Sequence, residues 1–173
     1  MSGLRLEESI AQHSIGAFEC VSMASWRTAI TLRGLRILDE NHMRVHAAHG
    51  RVCTFVVVDH RLPMPDSAVR EESARLMRVR SSTQLCSATV IEGSGFWSAT
   101  GRGVLTAIQL LSKHAYPLHT FSTVREAAIW TARQANKDDR FVDELALAVA
   151  ELRAAPVGPM SELSSRPPRS PNF

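Results

Sequence analysis

Val52-Cys53-Thr54-Phe55-Val56-Val57-Val58-Asp59 is an almost unbroken run of β-branched, aromatic and small apolar residues closed by an acid. It lacks the polar alternation of a half-exposed strand, so it predicts a strand covered on both faces, as at the centre of a parallel sheet. Upstream, Ile37, Leu38, Asn41, Val45 and Ala48 share one side at helical spacing, and Gly50 follows where a helix-ending glycine belongs. Residues 37–49 therefore read as a helix. Before it, Ile30 and Leu32 alternate with Thr31 and Arg33, which predicts a strand over 28–33 ended by Gly34. A further strand is expected at 17–23. Residues 1–16 are polar and mixed and read as an arm.

Downstream, Pro63 and Pro65 punctuate a loop, and Asp66 or Ser67 can cap a helix reaching residue 80. Its buried stripe would be Val69, Ser73, Leu76 and Met77. Residues 85–91 read as a strand, 92–95 as a tight turn, 97–113 as a helix weakened by Gly101 and Gly103, and 118–121 as a short last strand. Thr123-Val124-Arg125-Glu126 is a capping box opening a helix through Trp130. A last helix is expected over 141–154, after Asp138-Asp139. From Ala155 the composition turns to Pro, Ser and Arg, which cannot bury enough surface to offset chain entropy, so 155–173 is expected to be disordered.

The fold class is thus α/β, a mixed and mainly parallel sheet with helices, in the order β-β-α-β-α-β-α-β-α-α. The first two strands would pair antiparallel at one edge. The expected organisation is an arm (1–16), one α/β domain (17–137), an additional helix (138–154) and the tail. Apolar residues at 45% of the 173 suffice for one sizeable core. A net charge of +3 falls short of the concentrated charge of a nucleic-acid binder. Cys20, Cys53 and Cys86 form no CxxC pair and sit in apolar, strand-like segments, which predicts buried reduced thiols and a cytoplasmic protein. No apolar stretch is long enough for a membrane span, and no signal peptide is visible.

The element order, the strand ending Val56-Val57-Val58-Asp59, the strand–turn–helix over 88–97 and the segment Phe121-Ser122-Thr123-Val124-Arg125-Glu126-Ala127-Ala128-Ile129-Trp130 together resemble the STAS superfamily. The likeness, covering roughly residues 17–134, is to the anti-anti-sigma-factor domains and their bacterial SpoIIAA-like relatives. The last segment is similar to the F-x-[ST]-x-x-E-A-x-x-W ending of the SpoIIAA-like branch. The resemblance implies a STAS/SpoIIAA-like fold and a regulatory module that binds another protein. It also implies a phosphorylatable serine in the loop after the acidic strand end. The nearest match is Asp66-Ser67-Ala68-Val69, which lacks that motif's second hydroxyl residue and its glycine.

Each candidate site has a plainer reading beside it. Phosphate on Ser67 would sit at a helix N-terminus, where free N–H groups accept charge, yet Asp66 and Ser67 also suffice as caps. His42, His46 and His49 fall on one side of their helix with Asp39 near, a weak candidate metal set. One straight helix presents three ligands to a single ion poorly, so a solvated histidine face is the simpler reading. Gly93-Ser94-Gly95 faintly mimics a phosphate-binding turn but lacks the last glycine of the dinucleotide fingerprint. Phe96 and Trp97 after it are candidate anchors for a partner. Asp59 and His60 end the central strand, where α/β sheets place ligands, but no nucleophile accompanies them. Arg61, Arg70, Arg75, Arg78 and Arg80 suggest a basic surface that Glu71 and Glu72 dilute, so a solvated helix is expected, not a nucleic-acid groove.

The reading that follows is a non-catalytic regulatory or protein-interaction module working through Asp59, Asp66, Ser67, Phe96 and Trp97, with no cofactor. The alternative is a small-molecule or lipid-binding domain with its pocket between sheet and helices near Met64, Met77 and Trp97. STAS-like folds resemble the C-terminal lobe of CRAL-TRIO lipid-binding domains, an analogy of fold only. A third reading is an enzyme centred on Asp59, His60 and His119. The partners expected are another protein, a small ligand or a second copy of the chain. The tail's Arg166-Pro167-Pro168-Arg169 is a candidate linear element.

Overall fold

A computed structural model describes residues 3–92 and 96–158. Six strands form one sheet in the order β1-β2-β3-β4-β5-β6: β1 (Arg5–Ser9), β2 (His13–Phe18), β3 (Val21–Trp26), β4 (Val52–Val58), β5 (Gln84–Ile91) and β6 (Leu118–Phe121). The first three make an antiparallel meander, and β3 through β6 run parallel. The helices are α1 (Leu32–His49), α2 (Ser67–Val79), α3 (Phe96–Ser112), α4 (Val124–Gln134) and α5 (Asp139–Ala154). The mixed, mainly parallel α/β class is therefore as expected.

The N-terminal elements differ from the expectation. Residues 5–18 are not an arm but β1 and β2. The expected strand over 17–23 is the meeting of β2 and β3 through a two-residue turn, Glu19-Cys20, closed by the Phe18–Val21 pair. Glu19 takes a positive φ of 44°. Such turns usually announce themselves by Asn or Gly, and this one does not. Nor is 28–33 a strand. Thr31 caps α1, its hydroxyl accepting from the Gly34 N–H at 3.0 Å. Ile30 and Leu35 belong to one apolar cluster, as a hydrophobic staple places residues on either side of a cap. Gly34 does not end a strand but lies in the first turn of α1 against Trp26, where an added Cβ would stand 2.6 Å from the indole.

Side chains alternate along β4 and send its two sets to two cores. Cys53, Phe55 and Val57 join Cys86, Ala88 and Val90 of β5 beneath α4 and α5. Thr54, Val56 and Val58 face the other way, toward α1, α2 and α3. α5, expected as an addition, is part of the core: Phe141, Leu145, Ala148 and Leu152 are buried in the first cluster, and the Ser14 hydroxyl donates to the Leu152 carbonyl at 2.7 Å. Asp138 caps α5 through the Phe141 N–H. Beyond it Gly158 bridges to Ser9 on β1, so the start of the expected tail is placed, while 159–173 lie outside the described residues.

Candidate functional site

Between the sheet and the three helices α1, α2 and α3 the packing is incomplete. α3 packs chiefly against α2 and little against the strands below. A cavity of about 110 Å³ remains there. Its floor is Thr54, Val56 and Val58 of β4 with Gln84, Ser87 and Thr89 of β5, and Trp26, Leu35, Leu38, Val69, Leu76 and Ile108 are among its walls. A second cavity of about 80 Å³ adjoins it, sharing Ile30, Val58, Pro65, Leu105 and Ile108. Asp59, His60, Leu62, Pro63 and Met64 also line this second space, and all of them except Leu62 are exposed. The loop after β4 thus brings exposed residues to the wall of the second cavity.

The polar groups around the larger cavity hold one another in place. The Gln84 amide donates to the Thr54 hydroxyl at 2.7 Å and to the Cys86 carbonyl at 2.5 Å. Arg80, in the 3-10 turn that follows α2, donates from Nε to Asp39 on α1 at 2.9 Å. Its Nη2 is buried and has no partner among the described residues. The Thr83 hydroxyl donates to the Arg80 carbonyl at 3.2 Å and so accepts from His42 Nε2 at 2.8 Å. Burial, with the Arg80 charge near, pushes the His42 imidazole down to about 4, so it is neutral at pH 7. Tyr116 lines the same cavity, and burial pushes its phenol up to about 12.

The residues singled out from the sequence are only partly brought together. Asp59 is exposed and structural: its carboxylate accepts from the Arg61 N–H at 2.9 Å, closing the turn, with His60 Nδ1 at 3.5 Å. His119 is elsewhere, packed against Phe121 and Trp130. Asp66 caps α2 through the Val69 N–H at 2.9 Å. Ser67 follows it, exposed, with no hydrogen bond from its hydroxyl among the described residues. The side chains of Phe96 and Trp97, and residues 93–95 before them, lie outside what is described.

The histidine face is corrected. His42 is fully buried, His46 Nδ1 bonds the Gly50 carbonyl at 2.7 Å, and His49 is exposed. Helical spacing groups residues by angle, but α1 is covered by the sheet along one side and open on the other, which splits the set. Among the described residues no group of three or more His, Cys, Asp or Glu side chains is arranged to hold a metal ion. Of the basic set, Arg61, Arg70, Arg75 and Arg78 are exposed as expected, whereas Arg80, in the turn after α2, is buried. Cys53 and Cys86 are buried, Cys20 is half-buried, and all three thiols are free. No helix among the described residues is long and apolar enough to cross a membrane.

Sequence reasoning placed the pocket near Met64 and Met77, which line the second and first cavities, but missed Arg80, Tyr116 and the strand hydroxyls. One signal was present: Ser87 and Thr89 alternate with apolar residues along β5, marking a face that is not pure core. Compared with protein-family models, curated proteins and solved structures, the chain matches none.

Proposed function

We propose that this domain is a non-catalytic, STAS-like binding module that takes a small, largely apolar ligand between its sheet and α1–α3. The observation that carries the reading is the pair of adjoining cavities, one of about 110 Å³ and one of about 80 Å³, with apolar walls and a hydroxyl-bearing floor. Ligand sites in soluble proteins are usually largely preformed, mostly apolar and fitted with a few placed polar groups. A void in this size range is enough for a small ring or short chain, since an engineered apolar cavity of roughly 150 Å³ takes benzene. The STAS-like part rests on element order and on the 121–130 segment. In that segment the Thr123 hydroxyl accepts from the Glu126 N–H, and Phe121 packs against Trp130 with tilted rings at 5.5 Å between centroids.

The test is titration of the full chain with small apolar alcohols, read by tryptophan fluorescence, since Trp26 lines the larger cavity. Saturable binding that Ile108→Phe weakens supports the reading, and no saturable binding overturns it.

A regulatory reading keeps one observation of its own. Ser67 is exposed at the first turn of α2, a wall of the same cavity, so phosphate there would act on the element that shapes the pocket. Intact mass of the protein from its native cells, with and without phosphatase, decides it: a phosphate mapping to Ser67 supports the switch, and unmodified protein under all growth conditions counts against it.

A further inference from the structure

The geometry points to a small carboxylate with an apolar body as the ligand of the cavity between sheet and α1–α3, its anionic end on the Arg80 guanidinium. This rests on the binding reading above and names the ligand's chemical class. Arg80 lines the larger cavity and its side chain is 9% exposed. A guanidinium cannot shed its charge in a protein, so each N–H that burial strips of water has to be met by an acceptor. Asp39 meets Nε, and Nη2 is buried without a partner. An unmet buried donor on a charged group is costly, and a bound acceptor removes that cost.

Three features favour a carboxylate over a neutral acceptor. Charge-assisted bonds to guanidinium are the stronger kind. The Asp39 side chain is 33% exposed, so solvent screens its charge and leaves the inner edge of Arg80 electropositive. Tyr116, lining the same cavity and protonated at pH 7, offers an O–H donor to a second oxygen. The rest of the lining suits a hydrocarbon. Leu38, Val69 and Leu76 are among the cavity's walls, and Ile30, Leu105 and Ile108 are shared with the second cavity, which the 59–65 loop also lines.

Hexanoate, hexan-1-ol and hexanamide separate this inference from the reading beneath it. Each is titrated into the full chain at pH 7 and followed by tryptophan fluorescence and by calorimetry. The expected result is a Kd for hexanoate at least tenfold below those of the alcohol and the amide. Arg80→Met should raise the hexanoate Kd at least tenfold and abolish the preference for hexanoate over the alcohol. If the alcohol or amide binds as tightly as hexanoate, the carboxylate assignment is overturned while the cavity still binds. If none of the three binds, the underlying reading falls with it. Should Arg80→Met fail to fold, side-chain ¹⁵N resonances of the wild-type arginines decide. A hexanoate-induced shift of the Arg80 guanidinium, absent with hexan-1-ol, supports the assignment, and no shift overturns it.

Discussion

The two faces of the sheet are built from the same strands and differ in what they give up. Under α4 and α5 the strands present Cys53, Phe55, Val57, Cys86, Ala88 and Val90, and the helices answer with Ala127, Ala128, Ala132 and Ala148. Small helix residues let a helix come close to the strands, and Phe55 and Met23 fill what remains, both fully buried. Under α1, α2 and α3 the same strands present Thr54, Ser87 and Thr89 among valines, and Trp26 and Leu38 line a void. One face is organised for stability. The other forgoes dispersion contacts and keeps buried polar groups, a cost that a folded chain carries where a ligand makes up the difference.

The largest test of that contrast is Phe55→Ala on the packed face. It should cost about 3–5 kcal/mol in denaturant unfolding, the range for a buried phenyl group whose neighbours cannot close up. A loss below about 1 kcal/mol would mean that this face is no better packed than the other.

Acid should act from the α1 side of the sheet, where two imidazoles are fully buried. Burial lowers His13, and lowers His42 from near 6.5 to about 4. A group whose folded pKa is depressed binds fewer protons than the unfolded chain between the two values, so stability falls as pH drops through that window. The loss for His42 should be on the order of 3 kcal/mol between pH 6.5 and pH 4. Unfolding free energies measured across that window should flatten in His42→Gln. An unchanged pH slope in the variant would assign the acid sensitivity elsewhere.

A matched pair of methylene additions sharpens the comparison further. Val90→Ile pushes into the packed face and should cost about 1–3 kcal/mol, whereas Val56→Ile grows toward the cavity and should leave stability within about 0.5 kcal/mol. The second variant should weaken ligand binding while keeping its Tm. Equal costs would mean that the cavity closes in solution.

The smallest effect is expected at the cap of α2. Asp66→Ala removes the acceptor for the Val69 N–H and should cost about 1 kcal/mol. Because α2 walls the cavity, hydrogen exchange in its first turn should rise while α4 and α5 keep their protection.

Much of the fold could be read directly from residues whose signals are local. The central strand announced itself by β-branching, α2, α4 and α5 by their caps, and the last strand by its bounds, found at Leu118–Phe121 as expected. The hairpin at Glu19-Cys20 was not legible, because nothing in that pair requires a positive φ. Nor was α1's start, where five residues fit a period of two as well as they fit a cap and staple. Of the site, Met64 and Met77 were anticipated and Arg80 was mistaken for surface, since a charged residue at a helix end usually is.

By itself the sequence determined that the central strand would be buried on both faces and that helices would cover them. Alternation and periodicity are properties of neighbouring residues, and they carry that much. Only the tertiary structure decided which face α4 and α5 would close and how far α3 would stand from β5. It also decided that Arg80 would be drawn inward to Asp39 with one donor left over. Those outcomes depend on helix-to-sheet distances, which are set by the joint packing of side chains far apart in the chain, and no local pattern encodes such a sum.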